Sequence, residues 1–589
     1  MLKSCGWVTS FCLWLFCGSS SDLWSAERTP WTTSKVVGSP EPPDPYRLEL
    51  AYPKLKLFEP LSAAFVPKSS RLLVAERPGK IWVFDASSKD PKPELVVDLK
   101  RTVYGIAVHP QKEILYVTSV ADPGNPSPTG SKLSRLKLDW NKAGGRAEPK
   151  SETTILEWPS GGHNGGCLRF GSDGMLYLAT GDGSGIADSL QSGQDVSDLL
   201  GAILRIDINE TSGDKPYSIP KNNPFVGDPK AAPEIWSFGH RQVWKFSFDS
   251  VTGDLWAGEV GQDLWEMVYR IRRGGNYGWS VREGLHPFRP ERPKGPGEFE
   301  QPIVEHSHTD FRSITGGWMY HGKRLPELEG AYIYGDYDTG KVWMLRYDTQ
   351  AKKVTEHREL CDTQVRIVEI IQDKDGEILF VDFAGGGLHQ LVPVPPSTQP
   401  KVPFPSKLSE TGLFASVKDH QPAAGVIPYD VIAPLWSDGA SKDRFMAVPG
   451  DGKIEFDTVI YPFPAPGSLP GWRFPDGTVF VKTFSLETEP GNPLSKRRLE
   501  TRLLHHIKMP GNDDEYGAQV WNGYTYVWND EQTDAELLEA MGRIVSSRSK
   551  TSLLRTACAN RNGTSPVARN ARSVTRWRRS MCSAQRRRR

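Results

Sequence analysis

Residues 160–209 read SGGHNGGCLRFGSDGMLYLATGDGSGIADSLQSGQDVSDLLGAILRIDIN. Short runs rich in Leu, Ile and Tyr alternate here with turns made of Gly and Asp, such as the turn at 172–174. Short apolar runs bounded by such turns are typical of antiparallel β-sheets. We therefore predict three strands in this stretch, at 166–170, 175–180 and 202–208.

The polar residues of this stretch fall in its loops. His163, Asp182 and Gln194 each lie next to a glycine. Because glycine has no side chain, the backbone beside it can approach a ligand closely, and loops commonly carry binding residues. We treat all three as candidate site residues. The alternatives are a turn-capping role for Asp182 and a loop hydrogen-bonding role for Gln194.

The composition indicates a globular protein built from β-strands. The chain has 589 residues, of which 38% are hydrophobic and 24% are charged. This length exceeds that of most single domains, so more than one domain is expected. The 56 Gly, the 47 Pro and the aromatic content of 10% favour turn-rich β architecture over helices.

A loose repeat extends from about residue 51 to residue 394, in which two apolar strands flank a polar turn. Such repeats predict a β-propeller, in which four-stranded blades surround a central channel. We predict an all-β chain, with a six-bladed β-propeller at 51–394 and a smaller β-rich domain after it. An irregular pair of β-sandwiches is the alternative. The six units include 71–85, 113–138, 175–208, 254–271, 331–348 and 377–393.

Propeller geometry indicates where function should lie. Loops on one face of the ring converge on the mouth of the channel, so residues distant in sequence can meet there. The candidates at corresponding loop positions are His163, Asp182, Arg241, Glu259, Asp336 and Arg366. We assign Trp236, Trp244, Trp256 and Trp279 to packing within the blades, with a platform for a sugar as the alternative.

The rest of the chain divides into segments of distinct composition. Lys3 precedes an apolar run at 7–17 that is too short to span a bilayer, which is typical of an export signal. We therefore predict a periplasmic or secreted protein with no membrane span after removal of the signal. The segments are a signal peptide at 1–26, a linker at 27–50, a Pro-rich linker at 395–405, a β-rich domain ending in an acidic helix at 406–541, and a basic tail at 542–589.

The net charge of +1 conceals an acidic body. The tail at 542–589 holds 13 Arg, one Lys and no acidic residue, so it contributes +14 and the remainder carries −13. An acidic body disfavours nucleic acid or an anionic membrane as a partner. We predict that the tail is disordered or non-native; a basic arm that binds nucleic acid is the alternative.

The cysteines do not form a disulfide framework. Only Cys167 and Cys361 lie in the body, because the other five belong to the signal and the tail. Two cysteines can pair in an oxidising compartment or stay reduced, and the sequence leaves both possibilities open.

Five motifs follow one another along the predicted propeller. They are GGHNGGCLRFGSDGMLYLATGDG at 161–183, GQDVSDLLGAILRID at 193–207, GHRQVWKFSFDSVTGDLWAGEVGQDLWE at 239–266, GGNYGW at 274–279 and ITGGWMYHGKRLPELEGAYIYGDYDTGKVW at 314–343. In this order they resemble the glucose/sorbosone dehydrogenase family, which includes the propeller of hedgehog-interacting proteins. The domain after 406 resembles the companions of such propellers in predicted bacterial sorbosone dehydrogenases, where a c-type haem segment often follows. No C-x-x-C-H motif occurs here.

The resemblance implies oxidation of an aldose or aldosone at C1, with pyrroloquinoline quinone (PQQ) and Ca²⁺ at the channel mouth. It implies that His163 takes the proton of the sugar C1 hydroxyl while hydride passes to the quinone, with Asp182 orienting the imidazole. Electrons would pass to an external acceptor such as a c-type cytochrome. The implied cofactor-binding residues are Arg241, Gln242, Gln194 and Arg366, and the implied Ca²⁺ ligands are the carbonyl oxygens of Gly261 and Gln262.

The sequence departs from the family pattern at several of these positions. Gln242 replaces the usual asparagine, Asp338 stands where a quinone-binding lysine is expected, and Lys100 replaces an early glutamine. Only Arg366 remains of a pair of arginines. Two alternatives to the dehydrogenase therefore stay open: a non-catalytic propeller that binds a glycan or a protein, and a calcium-dependent lactone hydrolase.

Overall fold

The computed structural model describes residues 28–40, 44–123, 125–141, 146–308, 310–395, 403–437, 439–456, 472–489, 491–507 and 520–538. The predicted signal peptide, the basic tail and most of the Pro-rich linker lie outside these residues. Residue contacts divide the chain into two units, one formed by 42–399 and one formed by 1–41 together with 400–589. Among the described residues, no helix has the length and apolar character that a membrane crossing requires.

Unit 42–399 consists of short antiparallel strands, and its described residues include no α-helix, only short 3-10 turns such as Ser192–Gln194. Its strands are β1 (Tyr46–Leu50), β2 (Pro60–Phe65), β3 (Arg71–Glu76), β4 (Lys80–Asp85), β5 (Glu94–Asp98), β6 (Thr102–Val108), β7 (Ile114–Val120), β8 (Ser131–Asp139), β9 (Arg146–Ala147), β10 (Thr153–Trp158), β11 (Leu168–Phe170), β12 (Leu176–Ala179), β13 (Ala202–Ile206), β14 (Ile235–Phe238), β15 (Val243–Phe248), β16 (Leu255–Val260), β17 (Trp265–Ile271), β18 (Arg282–Glu283), β19 (His286–Pro287), β20 (Val304–Ser307), β21 (Ile314–Met319), β22 (Tyr332–Asp336), β23 (Lys341–Asp348), β24 (Lys353–Asp362), β25 (Ile367–Gln372), β26 (Ile378–Asp382) and β27 (Leu388–Pro393).

Most of these strands form six sheets that are each four strands wide. The sheets have the strand orders β2-β3-β4-β5, β6-β7-β8-β10, β11-β12-β13-β14, β15-β16-β17-β20, β21-β22-β23-β24 and β25-β26-β27-β1. The first strands β2, β6, β11, β15, β21 and β25 contact one another in that order, and β25 contacts β2, so the ring is closed. The predicted all-β class is confirmed. We interpret the six sheets as the blades of one propeller.

The last sheet of the ring joins the two ends of this unit. β1 pairs antiparallel with β27, with Tyr46 opposite Pro393 and Leu50 opposite His389. Residues 46–50 were predicted to belong to a linker, and that prediction is wrong. The alternating pattern of YRLEL covers only five residues and follows a Pro-rich and Ser-rich segment, so the composition of the segment outweighed it. These five residues nevertheless form the strand that completes the sheet.

The core lies between neighbouring sheets. Leu133, Leu178 and Leu204 come from two adjacent sheets, form part of one apolar cluster and have almost no exposed surface. Each such side chain contributes about 1.5–3 kcal/mol through its burial. Cys167 and Cys361 are both buried and both free, so the structure does not form the disulfide that the sequence left open.

The unit formed by 1–41 and 400–589 is also built on a sheet. It contains β28 (Phe414–Ser416), β29 (Gln421–Pro422), β30 (Val426–Pro428), β31 (Ser441–Ala447), β32 (Glu455–Phe456), β33 (Trp472–Arg473), β34 (Val479–Glu487), β35 (Lys496–Ile507), β36 (Val520–Trp528) and β37 (Ala535–Leu537). The main sheet has the order β30-β31-β34-β35-β36-β37. The predicted acidic helix is wrong, because Ala535–Leu537 pairs with β36 as a strand.

Trp31 belongs to the core of this second unit. Its side chain is 1% exposed and packs in one cluster with Leu503 and Tyr526. The indole Nε1 donates to the Gly412 carbonyl at 3.1 Å. The prediction of a linker at 27–50 is therefore wrong at this end too. A single buried tryptophan fixes a segment whose Thr-rich and Pro-rich composition gives no strand pattern.

Candidate functional site

The loops that carry His163 and Asp182 lie directly against each other. Gly183 N donates to the His163 carbonyl at 3.1 Å, and Gly162 N donates to the Gly183 carbonyl at 3.2 Å. A Cβ atom on Gly181 would lie 2.3 Å from the His163 carbonyl oxygen, so no larger residue fits. The glycines beside His163 and Asp182 thus let two loops pack backbone to backbone.

His163 and Asp182 form a hydrogen-bonded pair. His163 Nδ1 lies 2.7 Å from Asp182 Oδ1, and the Asp182 side chain is fully buried. Because a carboxylate can only accept, Nδ1 carries the proton and Nε2 of the neutral ring has a free lone pair. Among the described residues Nε2 has no hydrogen-bond partner, and 15% of the histidine side chain is exposed. The pair therefore presents an oriented base.

Two further donors hold the Asp182 carboxylate. Ser184 N donates to Oδ1 at 2.9 Å, and Trp279 Nε1 donates to Oδ2 at 2.8 Å. Trp279 was predicted to serve only in packing, and the structure places it in the site. Nothing in its motif GGNYGW distinguishes an indole that donates to a buried carboxylate from one that packs.

Arg241 is a buried cation beside this pair. The residue is 7% exposed. Its Nη1 donates to the Val260 carbonyl at 3.1 Å and its Nε to Gln262 Oε1 at 3.3 Å. Burial lowers the pKa of the Arg241 guanidinium, and the nearby Asp182 carboxylate opposes that shift. Within the described part of the chain Nη2 has no partner and no carboxylate forms an ion pair with the guanidinium. Arg241 can therefore donate to an anionic ligand.

Glu259 and Asp336 do not act as free ligand groups. Glu259 accepts from His240 Nδ1 at 2.8 Å and from Arg241 N at 2.7 Å, so it fixes the backbone of the arginine. Asp336 accepts from the backbone N atoms of Arg312 and Ser313 at 2.8 and 2.6 Å. Burial raises the pKa of the Asp336 carboxyl. Both carboxylates shape the loops of the site.

Arg366 is already paired. Its Nη1 donates to Asp338 Oδ1 at 2.8 Å and to the Asp338 carbonyl at 2.6 Å. The aspartate that replaces the expected lysine thus neutralises the one arginine that remains of the pair. Lys100 lies in an exposed turn with a left-handed φ of 52°, and it is not among the residues that line the cavity described below.

The two predicted glutamines differ. Gln242 Oε1 accepts from Gly165 N at 3.3 Å, and Gln242 lines the cavity. Gln194 exchanges hydrogen bonds with Asn276, donating at 3.0 Å and accepting at 2.9 Å, and it also donates to the Trp279 carbonyl at 2.7 Å. These contacts favour the alternative for Gln194, a hydrogen-bonding loop residue.

The turn at Gly261 and Gln262 presents unused carbonyl oxygens. Glu283 Oε1 accepts from Gln262 N at 2.5 Å and from Asp263 N at 2.9 Å. In the described residues neither the Gly261 nor the Gln262 carbonyl accepts a hydrogen bond. The described residues include no group of three His, Cys, Asp or Glu side chains that could hold a metal ion. A cation here would therefore depend on backbone oxygens, which suit Ca²⁺.

A cavity of about 300 Å³ opens among these loops. Among the described residues, Arg77 is the one charged residue that lines it. Arg77 Nε donates to Glu59 Oε2 at 2.8 Å. Gly162 and Asn164, on either side of His163, form part of the wall. The aromatic residues of the wall are Tyr104, Trp244, Tyr337 and Phe383. Such a lining suits a flat or apolar face with a few polar groups.

These features define an all-β protein whose ring of four-stranded sheets carries a polar site in its loops. The Glucose / Sorbosone dehydrogenase family model matches residues 57–389. The chain belongs to this family, as the motifs predicted.

Several known proteins are similar to parts of the chain. The HIPL2 protein of Arabidopsis thaliana is 36% identical over 220 residues, which is 34% of this chain and 32% of that protein. The aldose sugar dehydrogenase YliI of Escherichia coli is 25% identical over 358 residues, covering 57% of this chain and 91% of that protein. The match thus spans about a third of the length of the Arabidopsis relative.

A solved structure with a similar fold is the PQQ-bound form of aldose sugar dehydrogenase from Streptomyces coelicolor. It is 22% identical, covers 60% of this chain and all of its own (100%), and has a TM-score of 0.47.

Proposed function

We propose that this protein oxidises an aldose or aldosone at C1, with PQQ as hydride acceptor and His163 as general base. The observation that carries the proposal is the oriented His163–Asp182 pair next to the buried guanidinium of Arg241, which forms no ion pair with a carboxylate among the described residues. A dehydrogenase of this kind needs a proton acceptor and a stabiliser of negative charge in one place.

His163 would take the proton of the sugar C1 hydroxyl on Nε2. A neutral imidazole is an effective base near neutral pH. Asp182 fixes the tautomer through Nδ1 and stabilises the imidazolium that forms, while Trp279 and Ser184 hold the carboxylate in place. The chain's own residues thus supply the proton-transfer half of the oxidation.

The residues around the cavity fit an anionic quinone and a calcium ion. When bound, PQQ supplies an ortho-quinone that accepts two electrons as hydride. The amide of Gln242, which lines the cavity, and the Nη2 of Arg241, the residue before it in the chain, would hold its polar edge. The aromatic wall suits its flat rings. The unused carbonyl oxygens of Gly261 and Gln262 would bind Ca²⁺. Arg366 would contribute less, because Asp338 neutralises it.

The remaining parts of the proposal follow from the type of reaction. An external electron acceptor, such as a c-type cytochrome, would reoxidise the cofactor. A relative named as an aldose sugar dehydrogenase supports the sugar substrate. A periplasmic or secreted location follows from the predicted export signal.

A second candidate is a non-catalytic propeller that binds a glycan or a protein. The ion pair between Arg366 and Asp338 favours it, since it neutralises an arginine that the resemblance assigns to quinone binding. Similarity to hedgehog-interacting protein, at 27% identity over 182 residues, also supports it. The intact His163–Asp182 pair favours the dehydrogenase.

Titration of the protein with PQQ and Ca²⁺ tests the two candidates. Quinone absorbance reports binding, and dye reduction with a panel of aldoses reports turnover. We expect stoichiometric binding and sugar-dependent dye reduction that is lost in His163→Ala. The matched control is His321→Ala, which removes another histidine–aspartate pair, with a 2.8 Å contact to Asp249. Absence of quinone binding at high micromolar concentration would support the binding protein instead.

A further inference from the structure

The loop between Asp182 and Ser192 has an unusual backbone. Ala187, Asp188 and Gln191 have φ values of 54°, 49° and 57°, in the left-handed region that residues other than glycine rarely adopt. Such conformations persist only where the surrounding structure holds them, and they occur preferentially at functional sites. Gln262 Oε1 accepts from Ala187 N at 2.9 Å, and the side chain of Asp188 makes further contacts that hold this loop.

Asp188 is 1% exposed and its carboxylate bridges two separate segments of the chain. On one side it accepts from Ser192 N at 2.9 Å and from Gly193 N at 3.3 Å. On the other side it accepts from Ser280 Oγ at 2.6 Å. Arg292 Nη1 balances the charge at 3.4 Å and donates to Ser280 Oγ at 2.7 Å.

Both bridged segments lead to Asp182. Ser192 Oγ donates to the Asp182 carbonyl at 2.7 Å. Ser280 directly follows Trp279, whose Nε1 donates to Asp182 Oδ2 at 2.8 Å. One buried carboxylate therefore fixes the backbone of Asp182 and, through Ser280, the tryptophan that donates to the side chain of Asp182.

We propose that Asp188 is a positioning residue for the base, acting on His163 through Ser280, Trp279 and Asp182. The inference rests on the proposed role of His163. Asp188 touches neither His163 nor the cavity wall, so its effect must pass through the Asp182 hydrogen bonds. Loss of the bridge frees the indole of Trp279 and leaves Asp182 with one donor fewer.

Two NMR signals of the full-length protein test this without any substrate. The indole Nε1 proton of Trp279, assigned by its loss in Trp279→Phe, reports the bond to Asp182. The Nδ1 proton of His163, assigned by its loss in His163→Gln, reports the hydrogen bond between His163 and Asp182. In Asp188→Asn we expect solvent exchange of both protons to quicken by about 10-fold, since one weak hydrogen bond is lost.

Asp195→Asn is the matched control. It makes the same charge change seven positions further along the chain, but Asp195 is exposed and, among the described residues, its side chain accepts only from Ser197 N at 2.8 Å. We expect both protons to exchange as in the unaltered protein. Equal exchange in Asp188→Asn and Asp195→Asn would overturn the inference. Should Asp188→Asn not fold, Ser280→Ala removes one bond of the bridge with no change of charge, and unchanged exchange there would overturn the inference equally.

Measurements of turnover provide a second test of the inference. In Asp188→Asn we expect kcat to fall about 10-fold with KM nearly unchanged, because the residue acts on the base rather than on the sugar. The double variant with Trp279→Phe should be no slower than Trp279→Phe alone, as expected for residues that act in series. Fully additive losses would contradict the inference. Quickened proton exchange in a protein without any turnover would refute the proposed function and leave Asp188 as a positioning residue.

Discussion

The side of the site around His163 and the side around Arg366 differ in whether their polar groups already have partners. Around His163 and Asp182, two nitrogen atoms stay available for hydrogen bonding, because the imidazole Nε2 and Arg241 Nη2 have no partner within the described part of the chain. Around Arg366 and Arg77, each guanidinium is matched by a carboxylate, Asp338 or Glu59. The comparison teaches that polar groups beside His163 stay available to a ligand, while the guanidinium groups of Arg366 and Arg77 are neutralised.

Removing the base should have the largest effect. His163→Ala is expected to lower sugar-dependent dye reduction about 100-fold to 10,000-fold, the usual contribution of a general base. His321→Ala disrupts a similar pair, with Asp249, just after the carboxyl-terminal end of β21, and it should leave turnover unchanged. Equal rates in the two variants would show that the open side of the site is not catalytic.

Asp182→Asn should cost somewhat less, about 100-fold in kcat. The asparagine has one acceptor oxygen, so it can accept from Trp279 Nε1 or from Ser184 N but not from both. It also no longer stabilises an imidazolium at His163. Steady-state kinetics with the best aldose would measure the loss, and a thermal melt would verify that the fold is kept. A kcat within twofold of the unaltered protein would contradict the assigned role.

Asp338→Lys should make the side of the site around Arg366 positively charged. It frees Arg366 and adds a cation, so we expect PQQ to bind about 10-fold more tightly, the effect of one charge-assisted hydrogen bond. Quinone titration monitored by absorbance measures the change. Asp375→Lys makes the same charge change at an exposed position, where 66% of the side chain is accessible, and should leave the affinity unchanged. Equal affinities in both variants would remove the contrast between the two sides.

The smallest effect concerns stability. Glu266, one of the carboxylates that act on Arg241, is fully buried, and burial raises its pKa to about 7. Its contribution to stability is therefore complete below its ordinary pKa of 4.5 and is lost as the pH rises through about 7. Urea midpoints at about pH 5 and about pH 8 should differ less in Glu266→Gln than in the unaltered protein. An unchanged difference would refute this.

The sequence predicted strands well where turns of Gly and Asp bound an apolar run. The expected strand at 175–180 corresponds to Leu176–Ala179. The expected strand at 166–170 begins later, at Leu168, because Gly165 and Gly166 adopt φ values of 64° and 109° that a strand cannot continue. The local apolar pattern therefore predicted which strands form, while the backbone conformation of the glycines determined where a strand begins.

Parts of the site escaped prediction because hydrogen bonding across the ring has no local signal. His163 and Asp182 stand only 19 positions apart, so their loops could be compared directly. Trp279 and Asp182 stand 97 positions apart, and an indole looks the same whether it packs or donates. Gln194 and Arg366 matched expected positions, but their partners Asn276 and Asp338 decide their roles.

Trp31 has a consequence for the order in which the chain can fold. Its unit combines residues before 42 with residues after 399, so the larger unit is an insertion within it. During synthesis from the amino terminus, the partners of Trp31 emerge only after the whole inserted unit has been made. Closing so long a loop adds little entropic cost once the insertion has folded. The insertion can therefore complete its ring first, and the first segment to emerge is among the last to find its place.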